Sequence, residues 1–179
     1  DAVVPDAARD LADGMRTAWG DSAFPRVFAG ITEPVPFPVD PPDAAVLAVP
    51  AVRRASGSLV RVEGAAPACQ ETVTGSGFVY ADHRVMTNAH VVAGVPRPRV
   101  RVMGTGIAYD ARIVLLDRET DVAVLDVPDL TARALAFGGA AAAGDAAVVA
   151  GFPGGGKLVA APARVRGQIT ARGRDIDGR

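Results

Sequence analysis

One cysteine, Cys69, and two histidines, His83 and His90, are the only Cys and His side chains in 179 residues. A structural zinc centre draws on about four such ligands, so none can be assembled, and one thiol closes no internal disulfide. No metal or cofactor is expected. No apolar run reaches the roughly 18 residues of a membrane-spanning helix. Charge of one sign is also missing: 19 basic against 20 acidic residues leave a net charge of −1, which gives no electrostatic footprint for nucleic acid. Lys157 is the only lysine, and the abundance of Arg with Ala reads as a coding bias rather than a function. Aromatic residues make up 5% of the chain, so Val, Ala and Leu must build the core. The chain opens without Met and without a basic-then-apolar leader, and it reads as a piece of something longer.

What is present favours a packed, turn-rich β protein. The hydrophobic fraction is 49% and the charged fraction 22%, with 20 Gly and 14 Pro, a composition that supports a core and argues against global disorder. Residues 1–24 form a first unit. Within it, Ala8, Leu11, Ala12, Met15, Ala18 and Trp19 recur at helical spacing, so a helix is expected over 5–20, with Asp6 favourable at its start and Gly20 as its stop. Residues 25–54 form a Pro-rich connector holding Pro25, Pro34, Pro36, Pro38, Pro41, Pro42 and Pro50. Its expected state is extended and polyproline-like.

From about residue 55 the period changes to that of strands. Ser58–Val62, Thr72–Tyr80, Arg84–Thr87, Arg99–Val102, Ile107–Leu116 and Val122–Val127 are short, Val-rich and alternating. About six such strands suffice for a small closed barrel, which sets a second boundary near residue 130. Strands resume at Ala146–Ala150, Leu158–Val165 and Gly167–Ala171, and the Arg-, Asp- and Gly-rich end from Arg172 reads as a loop. The fold class is therefore all-β, with one complete barrel over 55–130 and the opening of a second over 131–179.

Three segments carry chemistry, and their order matters. Gly75-Ser76-Gly77-Phe78-Val79 is a strand of small residues; Val85 to Val92 contains Thr87-Asn88-Ala89-His90; Asp121-Val122-Ala123-Val124-Leu125 follows a turn at 117–120. A nucleophilic hydroxyl needs a base within hydrogen-bond reach, and the base needs a third group that fixes its tautomer. Imidazole suits the middle role because it exchanges protons near neutral pH. His90 follows a strand where a helical turn could begin. Asp121, 31 positions later, opens an apolar strand at the barrel rim, so two loops of one barrel can bring them together. Read singly, each residue is ordinary: a His among valines is usually packed, and an Asp opening a strand is usually a turn residue. His83, in the polar turn Ala81-Asp82-His83-Arg84, is assigned no role. Gly151 to Lys157 has the spacing of a phosphate-binding loop, but Leu158 stands where Ser or Thr should hold magnesium and the following residues read as extended, so nucleotide hydrolysis is rejected.

Taken together, residues 74–92 and 121–125 resemble trypsin-like serine proteases of the chymotrypsin fold, including the bacterial HtrA type. The similarity is closer to the mycobacterial membrane-anchored, periplasmic serine proteases linked to acid resistance. Ala66-Pro67-Ala68-Cys69-Gln70, Gly151-Phe152-Pro153-Gly154-Gly155-Gly156 and Ala161-Pro162-Ala163-Arg164-Val165-Arg166 match segments of that family. The resemblance implies a double β-barrel endopeptidase acting on proteins or peptides outside the cytoplasm, preceded by a membrane-embedded region. It implies His90 as general base and acid, Asp121 as the group that orients it, and Cys69 as half of a disulfide with a partner further along the protein. The family's Gly-Asp-Ser-Gly-Gly segment is missing. The only serines are Ser22, Ser56, Ser58 and Ser76, and Ser76 matches a scaffold position. The nucleophile is therefore expected in a C-terminal segment that this chain would bind as a partner. A protease-like binding module without activity is the alternative.

Overall fold

The computed structural model describes residues 38–67, 71–168 and 176. The expected N-terminal helix, Cys69 and most of the expected strand at 167–171 lie outside the described residues. Of that strand, residues 167 and 168 are described and are not in a strand.

Residues 25–37 of the expected connector also lie outside the described residues, and its described part, 38–54, differs from the expected extended form. A 3₁₀ turn spans Ala44–Ala48 and helix α1 spans Pro50–Ser56. Asp43 accepts the Ala45 N–H at 2.9 Å, capping an Ala-rich run of good helix formers. Pro50, read in sequence as a mark of extended chain, sits in the first turn of α1, where its missing N–H costs nothing and its fixed φ favours the helix.

Seven antiparallel strands follow: β1 Leu59–Ala66, β2 Glu71–Ala81, β3 Arg84–Thr87, β4 Arg99–Val102, β5 Tyr109–Asp110, β6 Arg112–Asp117 and β7 Val122–Asp126. A short helix, α2, spans Ala89–Val92 after β3. The sheet order is β5-β4-β1-β2-β3-β7-β6. Its outer strands β5 and β6 are two parts of one stretch of chain, parted only by Ala111, whose N–H donates to the Pro98 carbonyl at 2.9 Å. The stretch pairs first with β4 and then with β7, so the sheet curls round on itself. The single expected strand over 107–116 is thus two, and Ile107 lies outside both and is exposed. Curling leaves little free edge and gives the sheet an inner face. Val60, Val62, Val79, Val85, Val100, Ala123, Leu125 and Val127 are buried in one cluster there, with Val92 of α2. Period-two alternation explains the choice: in β1 and β3 the buried residues fall only at alternate positions.

Two charge clusters brace the outer face. Arg61 and Arg101 stand opposite each other on β1 and β4, an unfavourable pair that Glu63 resolves by accepting Arg61 Nη2 at 3.1 Å and Arg101 Nε at 2.8 Å. Burial raises the Glu63 pKa, but the hydrogen bond and charge of Arg101, then those of Arg61, outweigh it and leave the carboxyl below its ordinary value. On β7, Asp126 lies between Arg84 of β3 and Arg112 of β6 and pairs with both. The Arg112 hydrogen bond, together with the charges of both arginines, outweighs a smaller opposing effect of desolvation and holds Asp126 below the usual carboxylate range. A carboxyl depressed in this way binds fewer protons folded than unfolded. Its contribution is full above the unfolded value of about 3.9 and fades as pH falls through the folded value. Asp126→Asn is expected to lower the melting temperature at neutral pH and to converge with the parent protein at the acid end. Thermal melts across pH check this, and parallel curves for the two proteins would refute it.

The second lobe begins with β8 Ala146–Gly151 and β9 Val159–Arg164, paired as a hairpin. It docks on the first lobe through a few specific contacts. Phe152 is buried, and its N–H donates to Ser76 Oγ at 2.8 Å. Arg61 Nη1 donates to the Gly155 carbonyl at 3.0 Å. Pro153–Gly155 is a 3₁₀ turn leading to a strand, so the stretch that imitates a phosphate-binding loop has no helix after it.

Candidate active site

His90 is placed by α2, and α2 is placed by a glycine. A Cβ on Gly75 of β2 would lie 2.5 Å and 2.7 Å from the two γ-carbons of Val91. Only Gly lets the helix approach this closely, and Val91 and Val92 are buried against the sheet as a result. Gly77 allows a second close approach, with its would-be Cβ 2.8 Å from the Met86 carbonyl oxygen. At the strand end before α2, Thr87 Oγ1 donates to the Ser76 carbonyl at 2.8 Å. The small residues of Gly75-Ser76-Gly77 thus have separate tasks, and the Ser76 hydroxyl is engaged at the seam between the lobes.

Asp121 is placed by the β6–β7 turn. Asp117 Oδ1 accepts the N–H groups of Glu119 and Thr120 at 3.0 Å and 3.1 Å, a side-chain-closed turn of the kind Asp favours. The Thr120 side-chain hydrogen bond first, then its backbone N–H, outweigh desolvation and hold the Asp117 pKa below its ordinary value. The chain leaves this turn with Asp121 at φ +55°, a left-handed conformation that Asp and Asn tolerate better than most residues. That twist turns the carboxylate back over α2 instead of along β7.

The structure brings the two sequence-selected residues into contact. His90 Nδ1 lies 2.7 Å from Asp121 Oδ2, and the His90 backbone N–H donates to Asp121 Oδ1 at 2.9 Å. Asp121 is 3% exposed, whereas the imidazole is about one quarter exposed. A buried carboxylate without partners is costly; here both oxygens are satisfied, and the ring is fixed with Nδ1 toward the protein. Among the described residues no hydrogen bond reaches Nε2. Asn88 also joins the site, donating from Nδ2 to the Asp121 carbonyl at 3.1 Å and to Asp121 Oδ2 at 3.2 Å. Sequence reading gave Asn88 no role; it is the residue before α2, and its side chain makes no cap bond. His83 sits at φ +58° in the exposed β2–β3 turn, far along the strand from His90.

Fold and site together define a β-barrel protein of the serine-peptidase class. The chain belongs to the trypsin-like peptidase domain family, whose sequence profile matches residues 75–178. It is 40% identical over 158 residues to the serine protease Rv3671c of Mycobacterium tuberculosis, a match that covers 88% of this chain and 39% of that protein. It is 33% identical over 90 residues to a serine protease DegP homolog of Plasmodium falciparum, covering 48% of this chain and 10% of that protein. Among solved structures, the active form of the M. tuberculosis Rv3671c protease superposes with a TM-score of 0.75 at 42% identity, covering 82% of this chain and 64% of that one. The HtrA-type protease AlgW with a tripeptide gives 0.59 at 26%, covering 64% and 38%. The chain thus spans about two-fifths of the length of the M. tuberculosis relative.

Proposed function

We propose that this chain is the N-terminal part of an extracytoplasmic serine endopeptidase, with His90 as general base and acid and Asp121 as the residue that orients it. The observation that carries this reading is the 2.7 Å contact of His90 Nδ1 with the buried Asp121 carboxylate. With Nδ1–H held by Asp121, Nε2 carries the free lone pair. It removes the proton from a serine hydroxyl as the oxygen attacks the substrate carbonyl. The imidazolium, stabilised by Asp121, then gives that proton to the departing amine. Water repeats the cycle on the acyl-enzyme.

The serine and the oxyanion-hole amides are assigned to a segment following Arg179 in the longer protein, packed on the hairpin β8–β9. Four serines occur in the chain, of which Ser22 lies outside the described residues. Ser76 is bonded at the lobe seam, and the Ser56 hydroxyl donates to the Val52 carbonyl; Ser58 is buried. Cys69 is assigned as half of a disulfide with that same segment. A membrane anchor preceding residue 1 and a periplasmic or cell-wall location complete the proposal, supported by the resemblance to membrane-anchored periplasmic proteases. Proteins or peptides are the substrates, and the family's proteolytic relatives favour this over the inactive binding module.

The complete protein is expected to hydrolyse a peptide substrate and to be labelled by a serine-directed fluorophosphonate at a residue beyond Arg179. The 179-residue chain alone is expected to do neither. Labelling at Ser76, or no labelling of the complete folded protein, would overturn the proposal.

A further inference from the structure

We propose that Asn88 is a positioning residue for the His90–Asp121 pair, acting by clamping Asp121 in its left-handed backbone conformation and sharing its carboxylate. The inference rests on the functional reading above for its kinetic consequences, but its geometry stands apart from it. One amide nitrogen reaches two oxygens of a single residue: the Asp121 carbonyl at 3.1 Å and Oδ2 at 3.2 Å. The carbonyl bond fixes the peptide that leaves the β6–β7 turn, at the position where φ is +55°. The carboxylate bond fixes the rotation of the side chain. Two donors thereby converge on Oδ2, the Asn88 amide and His90 Nδ1, while Oδ1 takes the His90 backbone N–H.

Asn88 is suited to this by its own position. It is the residue between β3 and α2, two before His90, with extended backbone at φ −80° and ψ 146°. A helix N-cap Asn ordinarily turns its side chain onto its own helix. This one makes no such bond and points across to the neighbouring hairpin instead. The segment that carries the imidazole and the turn that carries the carboxylate are therefore tied twice, once through His90 and once through Asn88. The second tie persists whenever the imidazole moves its proton, because an amide neither gains nor loses charge. Its side-chain bonds go to Asp121 and none to His90, so its effect is on the alignment of the pair.

The test uses the complete protein and two variants. Asn88→Ala removes the donor; Asn88→Asp keeps the shape, replaces the donor by an acceptor and sets a second carboxylate against the first. Hydrogen bonds to charged groups carry enough energy for a rate effect of at least about 10-fold. Asn88→Ala is expected to lower kcat by about 10- to 100-fold with KM changed less than about two-fold, and Asn88→Asp to lower kcat further. A second arm needs no turnover: in protein whose nucleophile is replaced by Ala, the His90 Nδ1–H proton resonance is expected to exchange with water faster in both variants than in the parent. Unchanged kcat in folded Asn88→Ala protein overturns the proposal. So does a fall in melting temperature with kcat and the proton exchange unaffected, since that is a structural role only. If the parent protein has no peptidase activity, the functional reading fails and the exchange measurement alone decides: faster exchange upholds the clamp, and unchanged exchange refutes it. If Asn88→Ala does not fold, the near-isosteric Asn88→Asp decides in both arms.

Discussion

His90→Ala in the complete protein is expected to lower kcat by a factor on the order of 10⁶, with KM little changed, because triad members act as a unit and the loss of the base disables the nucleophile as well. The substitution is a clean one structurally. The imidazole is a quarter exposed, and the packing of α2 rests on its neighbours Ala89, Val91 and Val92, which are buried. Helix α2 therefore stays docked on Gly75 when the ring is removed, and Ala is a favourable helix residue. The His90 backbone N–H also keeps its bond to Asp121 Oδ1, which does not depend on the side chain. The check is steady-state kinetics with the concentration of competent enzyme fixed independently, together with a melting curve. A variant within about ten-fold of the parent would remove His90 from the mechanism and leave the contact with Asp121 as a structural ion pair.

Asp121→Asn is expected to cost about 10⁴ in kcat, by imposing the wrong tautomer. The geometry sets which way the new amide faces. The His90 backbone N–H at Oδ1 demands an acceptor, so the Asn carbonyl oxygen takes that place and its NH₂ falls where Oδ2 now meets Nδ1. A donor there makes Nδ1 the acceptor and moves the ring proton to Nε2, the nitrogen that should receive the serine proton. The Asn88 amide then also faces a donor in place of Oδ2 and keeps only its bond to the Asp121 carbonyl. Asn tolerates φ +55° as Asp does, so the turn keeps its shape and the loss reads chemistry rather than misfolding. The expected pattern is a melting temperature near that of the parent with activity nearly abolished at neutral pH. Activity close to the parent's would show that the carboxylate is not needed to hold the tautomer.

The two substitutions test residues that were legible in the sequence, and the reason is local. Strand period, the small residues of Gly75-Ser76-Gly77, and the segments around His90 and Asp121 are short-range patterns. Each records a demand of the local backbone: β3 runs Arg84–Thr87 as its alternation requires, and α2 begins where β3 ends. The family resemblance rested on the same patterns. The connector was less legible. Pro41, Pro42 and Pro50 look alike in sequence, yet Pro50 occupies a helix's first turn while Pro41 and Pro42 lie outside any helix.

What the sequence by itself determined was most of the strands of the first barrel and the β8–β9 hairpin, the all-β class and the candidacy of His90 and Asp121, because these follow from side-chain alternation and from residue types whose chemistry is restricted. The tertiary structure decided the rest. It joined β5 and β6 through a one-residue bend that curls the sheet, engaged Ser76 with Phe152 across the lobes, set Asp126 between two arginines from different strands, and turned Asn88 away from its own helix toward Asp121. Each of these depends on which backbone groups from distant parts of the chain arrive within about 3 Å of one another, the reach of a hydrogen bond. Sequence spacing does not carry that information. Packing on the curled sheet supplies it, by fixing where each turn and helix end comes to rest.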